Sequence, residues 1–71
     1  MTSEMAVAVV SMLNTCAKNK IFGIWVIMRN GQNRYGIHQS HTDEELVYDW
    51  DHRLQTIRFD DPELVDVQIV I

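Results

Sequence analysis

The sequence predicts a single α+β domain built as a two-layer sandwich. Three observations favour this fold: a helical apolar pattern near the start, a β-rich run followed by Asn30-Gly31, and an alternating apolar pattern over residues 64–71. The predicted element order is α-β-β-α-β, with a three-stranded antiparallel or mixed sheet in the order 2-1-3 and both helices on one face. With 71 residues, 46% of them hydrophobic and 23% charged, we expect one folded domain over residues 1–71.

The first predicted helix runs from Ser3 to about residue 18. Ser3 is a favourable N-cap, and Glu4 places an acid in the first turn, where the helix dipole favours it. Two adjacent apolar stripes cover most of the helix circumference: Met5, Val9, Met12 and Cys16 in one, and Ala6, Val10, Leu13 and Ala17 in the other. Two interpretations stay open, namely a deeply buried core helix and a helix that also contacts a partner chain.

The next two predicted elements form a β-hairpin, because Asn-Gly between two extended runs favours a two-residue type I′ turn. Such a turn sets the register and places Trp25 opposite Gly36. One face then carries Phe22, Ile24, Val26, Met28, Tyr35 and Ile37, and the other carries Trp25, Ile27, Arg34, Gly36 and His38. The first strand is apolar on both faces, which predicts a central position in the sheet, and the second is predicted to be an edge strand.

The second predicted helix begins at Thr42. Thr42 and Glu45 have the spacing of a capping box, in which each side chain binds the backbone N–H of the other residue. The predicted core face has helical spacing and consists of Val47, Trp50, Leu54 and Ile57, whereas Tyr48, Asp51 and His52 point largely toward solvent. The helix is expected to end between residues 55 and 59.

The last predicted element is a half-buried strand over residues 64–71, after a turn at Pro62. The apolar residues Val65, Val67 and Ile69 alternate with Asp66 and Gln68. Placing the first strand between the other two leaves Trp25 and Ile27 on a sheet face that no helix covers. An uncovered apolar patch of this kind is typical of an interface.

The residues that could carry catalysis or hold a metal have simpler structural interpretations. Histidines and carboxylates that could ligate a metal are His38, His41, His52, Asp49 and Asp51. Because they lie on a strand end, a loop and an outward helix face, we interpret them as surface residues. Cys16 lies on the apolar stripe of the first helix and is interpreted as a core residue. We therefore expect no catalytic residue, no cofactor and no metal, and predict that the protein is not an enzyme.

Charge is distributed unevenly along the chain. Residues 1–40 have four bases and one acid, a net charge of +3, whereas residues 41–71 have two bases and nine acids, a net charge of −7. The basic hairpin could contact phosphates, which makes a nucleic-acid-contacting accessory protein one alternative. The overall charge of −4 opposes nonspecific nucleic-acid binding and suits a partner with a basic surface.

The leading functional hypothesis is a small acidic interaction or regulatory domain that acts as a homodimer. A chain of this length gains only about 3–5 kcal/mol from one core, so association would add needed burial. Three surfaces are candidates for the dimer contact: the first helix, the Trp25 face and the edge of the C-terminal strand. The predicted partner-binding residues are Trp25, Ile27, Tyr48, Asp49, Asp51, Asp60 and Asp61.

The size of the chain is typical of inhibitor, immunity or accessory proteins, including those of bacteria and mobile elements. A second alternative is a small-molecule-binding domain with a pocket between the second helix and the sheet, lined by Trp50, Tyr35 and His38. No basic signal region begins the sequence, and the longest apolar run is too short to cross a bilayer. We therefore expect a cytoplasmic protein without a membrane segment.

Overall fold

In a computed structural model, which describes residues 1–18 and 20–71, one helix packs on a single five-stranded antiparallel sheet. The elements are α1 (Ser3–Cys16), β1 (Gly23–Met28), β2 (Arg34–His41), β3 (Glu45–Trp50), β4 (Arg53–Arg58) and β5 (Leu64–Val70). The strand order in the sheet is β4-β3-β2-β1-β5. Among the described residues, no helix has the length and apolar character needed to cross a membrane.

The predicted three-stranded sheet with two helices is wrong, because the segment assigned to the second helix forms the β3–β4 hairpin. The alternation along β3 decides the outcome: Leu46 and Tyr48 are fully buried, whereas Val47 and Asp49, which alternate with them, point to the other face. Tyr48, predicted to face solvent, is therefore a core residue. The sequence is also rich in β-branched and aromatic side chains here, which favours strands over a helix.

The predicted capping residue Thr42 does bind backbone N–H groups, but it does so ahead of a strand. Its hydroxyl oxygen accepts hydrogen bonds from the N–H groups of Glu44 and Glu45, both at 3.1 Å. Threonine side chains make the same local bonds in turns and at helix starts, so this signal does not distinguish the two.

The β3–β4 turn consists of Asp51 and His52, with Trp50 paired to Arg53 across it. Both turn residues have positive φ angles, 54° and 63°. Two consecutive positive φ angles are typical of a two-residue type I′ hairpin turn, and Asp and His tolerate this conformation better than most residues. The turn replaces what was predicted to be the middle of a helix.

The β1–β2 hairpin is present, but its register differs from the predicted one by one residue. Trp25 pairs with Tyr35, not with Gly36, which pairs instead with Ile24. The loop is longer than two residues, since β1 ends at Met28 and β2 begins at Arg34. A one-residue shift moves every side chain of β2 to the opposite face. β2 also lies inside the sheet between β1 and β3, so the predicted edge position is wrong.

The first helix is present, as predicted, and its N-cap lies one residue earlier and its end two residues earlier than expected. Thr2 is the N-cap, and its hydroxyl oxygen accepts a hydrogen bond from Met5 at 3.2 Å. Val9, Val10 and Leu13 are buried on the sheet, whereas Val7 is 70% exposed on the outer side. The helix therefore buries only one side, and it is not the deeply buried core helix that was one of the two interpretations.

The core lies between α1 and one face of the sheet. Its fully buried members are Leu13, Ile24, Val26, Leu46, Tyr48 and Leu64. β1 lies between β2 and the C-terminal strand, as predicted, and β5 is an edge of the sheet. The opposite face of the sheet is covered by no element of the described chain.

Candidate binding surface

The sheet face opposite α1, called the open face here, is defined by strand pairing. Directly paired residues share a face, which links Trp25 with Tyr35, and Ile37 with Asp49 and then with Leu54. The apolar members of the open face are Trp25, Ile27, Tyr35, Ile37, Val47, Leu54 and Val70. Every strand of the sheet contributes to this apolar surface.

Large side chains on the open face stay accessible to solvent. Trp25 is 39% exposed, Tyr35 44% and Leu54 65%. Large exposed apolar patches with a polar rim are uncommon on monomeric proteins and are typical of interaction sites. Aromatic residues are also the type most enriched where proteins contact each other.

The aromatic pair on the open face has a defined geometry. The rings of Trp25 and Tyr35 meet edge to face, with centroids 5.3 Å apart. Tyr35 extends over Gly23, where a Cβ atom would collide with its hydroxyl group. Gly23 thus leaves the space in which the Tyr35 ring lies, so the backbone of β1 helps to position the pair.

Charged residues border the open face and also lie within it, since Asp66 is directly paired with Ile27. Asp49 lies in the row between Ile37 and Leu54 and is partly buried. At the far end of β3, Glu45 pairs across the strands with Arg58, whose guanidinium contacts Asp60 at 3.0 Å. The apolar residues of the open face are therefore interrupted by two carboxylates, those of Asp49 and Asp66.

The predicted partner-binding residues divide among several places in the fold. Trp25, Ile27 and Asp49 lie on the open face, so the structure brings these three together. Tyr48 is fully buried, and Asp51 lies in the β3–β4 turn. The last two predicted residues, Asp60 and Asp61, follow β4 at the opposite end of that hairpin. The acidic residues of this set therefore form no single patch.

Asp60 is held by a specific partner. Its two carboxylate oxygens accept hydrogen bonds from Arg58 at 3.0 and 3.3 Å. The hydrogen bond and the positive charge of Arg58 favour the ionised form and lower the pKa of Asp60. Because both side chains are exposed, we assign this pair a local role at the β4–β5 turn.

Two of the three histidines form a hydrogen-bonded chain on the side of the sheet that faces α1. His38 Nε2 lies 2.8 Å from His41 Nδ1, and His41 Nε2 is hydrogen-bonded to the side-chain oxygen of Asn14 in α1. His38 also stacks on Phe22, with ring centroids 4.7 Å apart. Burial, and to a lesser degree the neighbouring His41, lower the pKa of His38.

The histidine chain links the last turn of α1 to β2. His52 lies separately in the β3–β4 turn. Within residues 1–18 and 20–71, no three histidine, cysteine or carboxylate side chains come together in a way that would hold a metal ion. The geometry of His38 and His41 therefore supports a structural connection.

The predicted pocket between a second helix and the sheet does not form, because that helix is a hairpin. Its three lining residues are also separated, with Tyr35 on the open face and His38 on the side facing α1. A groove of about 570 Å³ lies elsewhere, beyond the end of α1, and borders Cys16, Phe22 and Val70. This groove opens onto the rim of the open face.

A cluster around Arg34 was not predicted from the sequence. Arg34 Nη1 donates a hydrogen bond to the Tyr48 hydroxyl at 3.2 Å, and the guanidinium carbon lies 4.8 Å from the centre of the Trp50 ring. The signal in the sequence was the alternation of Tyr48 and Trp50, which share one face of a strand. Because both residues were assigned to a helix, their shared side of a strand was not recognised.

No known protein family, curated protein or solved structure matches this chain. Its function is therefore inferred from the geometry of the open face and of the Arg34 cluster.

Proposed function

We propose that this chain is a non-enzymatic interaction protein that acts as a homodimer, with the open faces of two copies packed against each other. The observation that carries the proposal is the set of apolar side chains, with Trp25 and Tyr35 among them, that all five strands contribute to the face opposite α1. Packing two such faces produces a four-layer arrangement in which each sheet lies between its own helix and the other sheet. Sheets packed in this way are about 10 Å apart, a distance that interdigitating side chains fill.

The size of the open face suits a stable dimer. The chain measures 30 × 27 × 17 Å, so its broad side spans about 800 Å². A standard protein interface buries about 800 Å² on each partner. The first figure is the area of a rectangle around the chain and not a buried area, so it shows that the open face has the outline of an interface in the standard size class.

The other two predicted dimer surfaces have less support. The outer side of α1 exposes Val7 and Met12, but Glu4, Ser11 and Thr15 also lie on its exposed surface. The outer edge of β5 offers unpaired backbone groups along a single strand, and a contact there would leave the open face uncovered. The open face combines greater width with aromatic side chains, so it is the surface assigned to the dimer.

Analytical ultracentrifugation over a range of concentrations tests the proposal. We expect a species of about 16.6 kDa, twice the chain mass of 8.3 kDa, at tens of micromolar. Leu54→Lys places a charge on the open face at a side chain that is 65% exposed, so it should produce monomers without unfolding the chain. Val7→Lys is the matched control, because Val7 is 70% exposed on the outer side of α1.

Two results would count against the proposal. One is a wild-type protein that remains monomeric at tens of micromolar. The other is equal dissociation by Leu54→Lys and Val7→Lys, which would locate the contact elsewhere. Roles as an inhibitor, immunity or accessory protein are consistent with such a dimer, and each would require a further partner of its own.

A further inference from the structure

Arg34 is a partly buried cation on the side of the sheet that faces α1. It pairs with the fully buried Val26, which places both residues on that side. Its guanidinium lies over the ring of Trp50 and donates to the hydroxyl of Tyr48. Because the Tyr48 side chain is fully buried, it holds the guanidinium in a fixed place at the surface of the core.

No carboxylate within residues 1–18 and 20–71 forms an ion pair with Arg34. The hydrogen bond to Tyr48 uses one of the five N–H donors of the guanidinium. The Tyr48 oxygen accepts that bond, and its own proton has no acceptor among the described side-chain hydrogen bonds. Among the described hydrogen bonds, the Arg34 side chain therefore has no acceptor other than Tyr48.

A second arginine lies on the same side of the sheet, next to Trp50 in the strand pairing. Arg53 is exposed and lies directly across the strands from Trp50, so it shares a sheet side with Trp50 and Arg34. The Trp50 side chain is 37% exposed, which shows that α1 does not cover this corner of the sheet. Two arginines thus flank one accessible aromatic ring.

We infer that the corner formed by Arg34, Arg53 and Trp50 binds the oxyanion group of a small ligand, a phosphate or a carboxylate. Planar guanidinium groups bind both oxyanions through paired hydrogen bonds. Trp50 provides an apolar surface beside the charged group, and Tyr48 acts as a positioning residue for Arg34. The site lies on the opposite side of the sheet from the dimer surface, so it does not depend on dimerisation.

One nearby acid opposes anion binding and offers an internal check. Asp51 occupies the turn that directly follows Trp50, and its charge repels an oxyanion. Removing that charge should therefore strengthen binding. Asp51→Asn suits this purpose, because asparagine tolerates the positive φ of 54° at this position.

The test is a titration monitored by NMR, with the indole N–H signals of Trp50 and Trp25 as reporters in the same sample. Trp25 lies on the open face and serves as the internal control. The probes are sodium phosphate, sodium acetate and adenosine monophosphate, each added at constant ionic strength. We expect a saturable shift of the Trp50 signal and little change at Trp25. A comparison of the probes distinguishes phosphate from carboxylate and shows whether a ring system adds affinity.

Variants separate binding from structure. Arg34→Gln should weaken the binding of the effective probe at least tenfold, but it also removes the contact with Trp50. Arg53→Gln is therefore the second variant, since this exposed side chain can be replaced without disturbing the core, and it should weaken binding severalfold. Arg58→Gln is the control, because Arg58 lies on the open face next to Glu45. Asp51→Asn should tighten binding.

The inference would be overturned by shifts that grow linearly with all three probes and affect Trp50 and Trp25 alike. The inference would also be overturned if Arg53→Gln and Arg58→Gln weakened probe binding equally, because the loss of affinity would then follow from the net charge of the protein and not from this corner.

Discussion

Gly36 lies in β2 against β3, and its replacement by alanine tests the arrangement of the sheet at its centre. A Cβ atom at this position would lie 2.6 Å from the carbonyl oxygen of Asp49 and 2.8 Å from Cδ2 of the Tyr48 ring. The carbonyl belongs to the backbone of a paired strand, so it cannot move aside as a flexible side chain does. The Tyr48 ring is fully buried and has little room to turn.

The expected cost follows from these two contacts. Overpacking a well-packed core destabilises a protein by about 1–3 kcal/mol, and a contact with backbone places Gly36→Ala in the upper part of that range, about 2–3 kcal/mol. For a domain of this length, that loss lowers the melting temperature by about 10–20 °C. It is a large part of the total, since 71 residues correspond to a free energy of unfolding of about 4–10 kcal/mol.

Thermal unfolding followed by circular dichroism measures the effect, with Gly31→Asn as the matched control. Gly31 has a φ of 81°, and a Cβ atom added there would meet no other atom within 4 Å. Because asparagine tolerates this conformation, the control should lose less than about 1 kcal/mol. If Gly36→Ala melts within a few degrees of the wild type, the close approach of β2 and β3 at Tyr48 is refuted. The same result would contradict the position of Arg34 beside Tyr48, because that position depends on the close approach of β2 and β3.

Three further predictions concern the open face and the histidine chain. Asp49→Asn should lower the dissociation constant of the dimer roughly tenfold, or about 1.4 kcal/mol, because it removes a charge that the interface would desolvate. Sedimentation equilibrium measures this constant, and weaker association of the variant would contradict the prediction. Gly23→Ala should displace Tyr35 and weaken the dimer while leaving the melting temperature of a Leu54→Lys monomer nearly unchanged. In urea unfolding from pH 8 to pH 5, His38→Phe should show a smaller loss of stability than the wild type, and an equal loss would contradict this prediction.

The sign of the pH effect follows from the lowered pKa of His38. As the pH falls through the ordinary histidine value of 6.5, the unfolded chain binds a proton before the folded chain does. The stability that His38 contributes is therefore complete above that value, decreases as the pH falls below it, and stops decreasing below the folded pKa. Phenylalanine retains a ring against Phe22 and has no proton to bind.

Part of the fold could be predicted from the sequence, because the apolar pattern of some segments fits only one type of secondary structure. The apolar stripes of α1 and the alternation of β5 each have a single period, and both elements are present. The uncovered position of Trp25 and Ile27 was also predicted. It depended on placing β1 between β2 and the C-terminal strand, and this placement was correct.

The β3–β4 hairpin could not be predicted from the sequence, because its apolar residues fit both a helical and a strand periodicity. Val47, Trp50, Leu54 and Ile57 have helical spacing, and the same stretch alternates as two strands. The deciding feature is the turn at Asp51 and His52, whose two positive φ angles carry a much weaker sequence signal than Asn-Gly. Long-range pairing with β2 then favours the strands, and that pairing cannot be read from local periodicity.

The one-residue error in the β1–β2 register has a direct consequence for function, because it exchanges the positions of Arg34 and Tyr35. In the predicted register Arg34 shares the uncovered face with Trp25, and a face with a cation beside an aromatic ring suits a phosphate backbone. In the observed register Tyr35 takes that place and Arg34 lies on the other side, next to Trp50. The open face thereby loses this cation and gains an aromatic ring beside Trp25. Such a surface favours a second apolar face over a nucleic acid, and the arginine becomes available for a small anion.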